Sequence, residues 1–257
     1  MKVFIIHRKM KKGAYRLLAV LVWLAVWQLA AILVGHSFLL ASPLQVLASL
    51  GRLLLLPGTY SAALQSAYRI LLGFLAALVF ALALAFGASR SRLVYELAAP
   101  LVSLARSVPV ASFIILAILL VSTRWLSFLI AFVTGFPVIY ANVMAGLAGR
   151  DVRLSEMAAV FRVPFARRLL YLNFPQLAPY LRAGAVTALG LCWKSGIAAE
   201  VIGIPLGTIG EKLYTVKVNY YTADLFAWTV IIVLLSLLST RAVKYLLDAG
   251  LLKLERL

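Results

Sequence analysis

Three groups of residues in this sequence have types and spacings that could do chemistry. The first lies between Asp151 and Pro175, where Glu156 shares a short stretch with Arg153, Arg162, Arg167 and Arg168. Ser155 reads as a helix N-cap, which puts Glu156 in the first turn, where the helix dipole favours a carboxylate. Pro164 suits the first position of a second short helix. Met157, Val160 and Phe161 can share a face of the first helix, and Phe165, Leu169 and Leu172 a face of the second. Arg167 and Arg168 are then left to face water or a partner. Two readings stand for such a pair. It lies on a lipid surface with its arginines among anionic head groups, or it is a knob on which a soluble protein docks.

The second group is ionisable: Arg69, Arg106, Arg182, Lys194 and Glu200 fall within apolar runs, where a charge facing lipid is costly. Arg69 and Arg182 sit near run ends and can snorkel to the interface. Lys194 is deeper. It contacts an anionic solute or pairs with a carboxylate elsewhere in an assembly. Glu200 follows it by six positions, too far for an i,i+4 pair. The third group is proline. Pro100, Pro109 and Pro137 interrupt apolar runs, and each removes a backbone donor that something else must compensate. Pro109 and Pro137 therefore border a pathway, or they are ordinary prolines of membrane helices.

No catalytic constellation is legible. The phosphate-cradling pattern Gly-x-x-x-x-Gly-Lys-Ser/Thr does not occur, and neither does any Gly-Lys dipeptide. No nucleophile has a base beside it, and no segment carries paired carboxylates. Cys192 is the single cysteine and reads as a small buried apolar residue. His7 and His36 lack ligand spacing, so neither a metal nor a cofactor is expected. An enzyme is disfavoured on these grounds.

The elements that must position these residues are membrane helices. Of 257 residues 64% are hydrophobic and 13% charged, whereas soluble domains carry about 25% charged residues. Six apolar segments are expected, at 15–34, 66–87, 95–121, 125–148, 177–200 and 222–247. Runs such as Leu71 to Phe86 are apolar on every side, as membrane helices are. The first segment has spanning length, not the 7–15 residues of a signal core, and is read as a retained span. The fold class is thus all-α integral membrane, with a basic tail at 1–14, a transmembrane domain at 15–250 and a tail at 251–257. The net charge of +17 sits in the gaps between spans and not on one face, so nucleic acid is not expected as a partner. Basic residues concentrate in the tails, at Arg90 and Arg92, and in the 150–175 loop. The alternate gaps hold only Arg52, Arg124, Lys212 and Lys217. Both termini are therefore expected in the cytoplasm. The gap from Ile202 to Asp224 carries an apolar, turn-rich stretch, Ile204 to Gly210, that dips toward the membrane surface.

Glu156, Ala158 and Pro175, nineteen positions after Glu156, resemble the EAA loop of permease subunits in ATP-binding-cassette importers. Met157 replaces the usual middle Ala, Arg162 stands where Gly is usual, and Phe174 replaces a Leu. The stretch from Ala99 to Pro109 is similar to the segment before that loop in nitrate/sulfonate/taurine-type permeases. Cys192 to Gly203 resembles the segment after it, and the likeness covers about residues 60–250. The resemblance implies the type I (MetI-like) importer architecture in a bacterial plasma membrane. It implies two ATP-binding subunits on the cytoplasmic face, an extracytoplasmic solute-binding protein and a second permease copy, a homodimer, surrounded by lipid. It makes Glu156, Met157, Ala158, Arg162, Arg167 and Arg168 the residues coupled to the ATPase, with Glu156 holding the loop more than touching the partner. Pro109, Pro137, Lys194 and Glu200 become candidates for the solute path. A small anion, a sulfonate or a thiamine-related pyrimidine is the implied cargo. A secondary carrier, or a scaffold recruiting a cytoplasmic partner, is the competing reading. The carrier would call for an inverted repeat, which is not evident.

Overall fold

A computed structural model of the chain describes residues 2–36, 38–164 and 167–255, with side chains for 13–36, 38–154, 156–164, 167–168 and 171–250. Every regular element among them is helical. In chain order they are α1 (Lys2–Val34), α2 (Pro43–Leu54), α3 (Pro57–Arg90), α4 (Arg92–Ser107), α5 (Val110–Leu120), α6 (Thr123–Ala148), α7 (Val152–Val160), a π-helical turn (Arg168–Asn173) running into α8 (Phe174–Gly203), α9 (Ile209–Val218) and α10 (Thr222–Glu255). Among the described residues five stretches are long and apolar enough to cross a membrane: Gly13–Val34, Pro57–Arg90, Thr123–Ala148, Tyr171–Gly203 and Thr222–Gly250. The chain is an all-α, multi-pass membrane protein.

The expected span at 95–121 is not one helix. α4 and α5 meet at an angle of 107°. Val108 has extended backbone and Pro109, the N-cap of α5, has no N–H to continue a helix. The residue before a proline is pushed out of the helical region, so the break falls where the sequence places Pro109. Sixteen and eleven residues give roughly 24 and 16 Å, so neither piece alone covers a hydrocarbon core of about 30 Å. The pair makes the sixth segment as a broken span or a re-entrant hairpin. The span expected at 66–87 begins nine residues earlier, at Pro57, and Arg69 consequently lies well inside α3, buried, and not at a snorkelling end. Arg182 is half-buried and pairs with Asp248 at 3.1 Å.

The chain forms two compact units. The first comprises described residues within 1–60 and 213–231. Its helix α2 has a full capping box: Ser42 Oγ accepts the Gln45 N–H, Gln45 Oε1 accepts the Ser42 N–H, and Pro43 occupies the first turn. Asp224, in the first turn of α10, receives both carboxylate bonds from Arg52 Nη2 at 2.6 and 2.7 Å and a further bond from Ser49. Trp27 of α1 donates to the Ala41 carbonyl at 3.1 Å and meets Phe226 in a tilted arrangement, with ring centroids 5.4 Å apart.

The second unit comprises 61–212 and 232–257 and carries the candidate site. Its core is α6 packed along α8, with α3 against both. Small residues let these backbones approach, as they do in membrane bundles generally. A Cβ on Gly73 would meet the Phe128 carbonyl and lie 2.9 Å from Ala131 Cβ; one on Gly196 would lie 2.7 Å from Ile70 Cγ1. Cys192 is buried in this seam, where its thiol donates to the Ala131 carbonyl at 3.2 Å. Trp193, turned to the other side, donates to Ser239 of α10 at 2.8 Å. Because the atom opposing Gly73 is backbone, it cannot rotate away. Gly73→Ala is therefore expected to destabilise the purified protein by about 1–3 kcal/mol. A thermal unfolding midpoint equal to that of the parent chain would contradict this packing.

Candidate functional site

The loop between α6 and α8 is built from three local devices. The first is its entry. The N-cap of α7 is Asp151 and not Ser155, which lies inside the helix. Asp151 Oδ1 accepts the Arg153 N–H at 2.8 Å, and the Asp151 N–H donates to Gln176 Oε1 at 2.8 Å. Both residues are good caps by type. Gln176 decides between them, because it anchors the backbone at Asp151 from the start of α8.

The second device is the turn at Arg162. This residue has φ +48°, the left-handed conformation that favours glycine. The Arg162 N–H donates to the Ala159 carbonyl at 3.0 Å and the Val163 N–H to the Ala158 carbonyl at 2.9 Å. Those two bonds close a Schellman motif around Phe161. The arginine at the usual glycine position thus keeps the turn that glycine would make, at a cost of about 1–2 kcal/mol for its Cβ.

The third device is the exit. The Arg168 N–H bonds back to the Pro164 carbonyl at 3.0 Å, and the π-helical turn then leads into α8 without a break. Pro175, in the first turn of α8, supplies no N–H, and the wider turn accommodates that loss. Gln176 Nε2 donates to the Leu172 carbonyl at 3.0 Å, so one side chain ties both ends of the loop.

The result is a short helix held at both ends and open at its tip. Val160 is 78% exposed, Phe161 74% and Met157 48%. Glu156, Arg162 and Arg167 are exposed, Arg168 is half-buried and Ala158 is buried. The expected face of Met157, Val160 and Phe161 is therefore present and uncovered. Phe165 lies outside the described residues, as does the side chain of Leu169. Asp151 and Gln176 were not singled out from sequence. Asp151 carried a cap signal of its own, but Gln176 offered no sign of its partner twenty-five positions away.

The membrane candidates separate into different settings. Pro109 is exposed at the α4–α5 break, and Pro137 is buried within α6. A cavity of about 470 Å³ brings the two regions together: Val108 and Val110 flank Pro109 on one wall, with Phe80, Phe132, Pro137 and Leu191 on others. Arg106 reaches across to donate to the Pro137 carbonyl at 3.1 Å. Lys194 lies one turn beyond Leu191 and is exposed, on the side of α8 that also shows Ala183 and Thr187. Nine residues, roughly 14 Å of helix, separate it from Gly203. Glu200 is fully buried and faces away from that side, toward Ser66. Among the described residues no three His, Cys, Asp or Glu side chains come together as a metal site would require.

This arrangement, a pinned amphipathic loop between two long spans, coincides with a family match over residues 69–251 to binding-protein-dependent transport system inner membrane components. The chain belongs to that family. It is 28% identical over 238 residues to a Bacillus subtilis protein named as an aliphatic sulfonates transport permease, covering 90% of this chain and 83% of the relative. It is 26% identical over 201 residues to the nitrate import permease protein of a Synechocystis species, covering 74% and 72%. A bicarbonate transport system permease protein of Synechococcus elongatus is 26% identical over 117 residues, covering 46% and 42%. The chain is thus an ATP-binding-cassette transporter permease of the nitrate and sulfonate type, a transport component of a system that includes an ATPase and a substrate-binding protein.

The turn at Arg162 gives the permease a direct test. Arg162→Gly relieves the left-handed strain and is expected to raise stability by about 1 kcal/mol, while Arg162→Val, β-branched, lowers it by about 1–2 kcal/mol. Thermal unfolding of the three proteins measures this. An unchanged or lower midpoint for the glycine variant would show that the residue does not hold the left-handed turn.

Proposed function

We propose that this permease imports a small anion, forming the solute path with a second copy of itself and coupling through residues 150–175 to a separate pair of ATP-binding subunits. One observation carries the reading: an apolar tip, Met157, Val160 and Phe161, stands exposed on a loop whose ends are fixed by Asp151, Gln176 and the turn at Arg162. A helix lying freely on lipid needs no such fixed ends. A lever that must transmit force does. Glu156, Met157, Ala158, Arg162, Arg167 and Arg168 form the coupling surface. Ala158 packs inward beneath it, and the arginines flank the tip with charge that a complementary groove can read.

The loop and the span form one mechanical piece, since the π-helical turn continues into α8 and α8 packs along α6. Closure of the ATPase pair on the tip would bias these two spans between states open to either side of the membrane. With the loop cytoplasmic, charge placement puts both termini on the same side, the plasma membrane of a bacterium as the setting, and residues 202–224 on the face that meets the binding protein. The chain supplies the path; hydrolysis belongs to the partner subunits.

The named cargoes of the relatives, sulfonates, nitrate and bicarbonate, are all anions. Lys194 is the group in this chain suited to them. An ammonium exposed near mid-membrane costs about 2.5–3.5 kcal/mol or more against lipid, so its open face belongs to an aqueous path or to the partner copy. Small residues alongside it permit such an approach. The broken α4–α5 segment, with Pro109 and Pro137 beside it, borders the same region. Glu200 contributes from behind, as part of the support.

Two measurements test the reading in liposomes holding the permease, its ATPase and its binding protein. Reversing both charges with Arg167→Glu and Arg168→Glu is expected to weaken ATPase co-purification and solute-stimulated ATP hydrolysis by roughly ten-fold. Unchanged association and transport would sink the coupling role. Lys194→Met is expected to cut anion uptake by roughly ten-fold while leaving ATPase association intact. Undiminished uptake would remove Lys194 from the solute path.

A further inference from the structure

Glu200 is fully buried in the last turn of α8, and its contacts are with other parts of the chain. Its Oε2 accepts the Ser66 hydroxyl of α3 at 2.6 Å and the Gly210 N–H, in the first turn of α9, at 3.3 Å. The Ser66 oxygen in turn accepts the Ile209 N–H at 2.9 Å. Arg69 of α3 and Ser127 of α6 flank the same carboxylate. Residues from three spans therefore converge on the N-terminus of α9, where a negative charge complements the helix dipole. The contact is also steric. A Cβ on Gly210 would lie 2.7 Å from the Glu200 carbonyl oxygen, so the start of α9 is pressed against α8 itself. Thr208 caps α9 by accepting the Glu211 N–H at 3.2 Å, and Thr208 and Ile209 are both completely buried.

The chain reverses between these elements at Ile204, which has φ +47°, and Gly207, at φ +76°. Turns of this kind join two helices without tying them rigidly, whereas the bond from Gly210 to Glu200 ties the start of α9 to α8 directly. At its other end α8 continues from the π-helical turn and the loop, and its thirty residues form a rod of roughly 45 Å.

We propose that Glu200 is the positioning residue that makes segment 204–212, on the face meeting the binding protein, move as one body with α8 when the ATPase pulls on the loop. The proposal rests on the coupling reading above. Without the carboxylate the turn at 204–208 would absorb the tilt of α8 as a hinge. With it the tilt reaches α9 undiminished, and the two ends of one helix report to the two partner proteins. Glu200 is then outside the solute path and behind its wall.

Hydrogen exchange read by mass spectrometry tests this on the permease assembled with its ATPase in lipid nanodiscs, with and without ATP. In the parent complex, ATP is expected to change exchange at both 150–164 and 204–212. In Glu200→Ala, ATP-free exchange at 204–212 is expected to rise by roughly ten-fold or more, the scale of a lost charge-assisted bond. The response to ATP there should vanish while that at 150–164 remains. Glu200→Gln keeps an acceptor for Ser66 and Gly210 and should stay within about three-fold of the parent, on the scale of a neutral bond replacing a charged one. Should the alanine variant fail to assemble, Glu200→Asp withdraws the carboxylate from both Gly210 and Ser66 by one methylene and is expected to shift exchange at 204–212 in the same direction as Glu200→Ala. A full ATP response at 204–212 in Glu200→Ala, or in Glu200→Asp where the alanine variant does not assemble, overturns the proposal. So does a parent complex in which 150–164 responds and 204–212 does not. A parent complex silent at 150–164 overturns the coupling reading instead. The ATP-free comparison then decides on Glu200 alone: faster exchange at 204–212 in the alanine variant supports its hold on α9, and unchanged exchange refutes it.

Discussion

Backbone N–H and C=O groups cannot be left unpaired in hydrocarbon, and most of what is distinctive in this permease follows from how that constraint is met at the places where helices stop. Where the chain runs uninterrupted, as in α3, α6 and α8, intrahelical bonds suffice and small residues bring the helices together. Where it stops or meets a proline, a side chain lies close by. Arg106, at the end of α4, donates to the Pro137 carbonyl of α6. Gln176 donates to the Leu172 carbonyl beside Pro175. Glu200 and Ser66 serve the first amides of α9. Each of these polar groups is costly in its own right and is held by a specific partner near a proline or a helix end.

The spans were legible because a membrane helix is apolar on every side, and no soluble element imitates twenty such residues. Their ends were less so. α3 begins nine residues before its apolar run, since an interfacial helix can continue on residues that a hydropathy reading assigns to a loop. The α4–α5 break was written in Pro109, yet an apolar stretch containing prolines is read as a kinked span before it is read as two helices. Helix α2 carries a clear Ser-Pro-Leu-Gln start, but it falls between the long apolar runs and its charge, Arg52, is answered by Asp224 far along the chain.

The loop shows the same division. Its existence, its amphipathic face and the odd residue at Arg162 could all be found by reading along the chain. The position of its cap could not. Ser155 and Asp151 are equivalent candidates in local terms, and the choice is made by a side chain beyond the loop's far end. Glu200 follows the same rule. It is recognisable as a misplaced charge, but its neighbours come from α3, α6 and α9 and leave no local trace.

In the coupling role proposed for the loop, these non-local ties would carry its movement to the rest of the permease. A force on the exposed tip at Met157, Val160 and Phe161 is useful only if it is not dissipated in bending. The Schellman turn at Arg162 and the clamp at Gln176 stiffen the lever. The continuous passage from the π-helical turn into α8 removes a hinge at the membrane surface. Along the span, Gly73 seats α3 directly on the backbone of α6, and Gly196 seats α8 on the Ile70 side chain of α3, so the three helices are held in close contact. On that proposal, the motion left to the α3–α6–α8 core is a tilt as a unit, together with what the far end of α8 carries. One stiff helix with a polar anchor at each end would then connect partners on both faces.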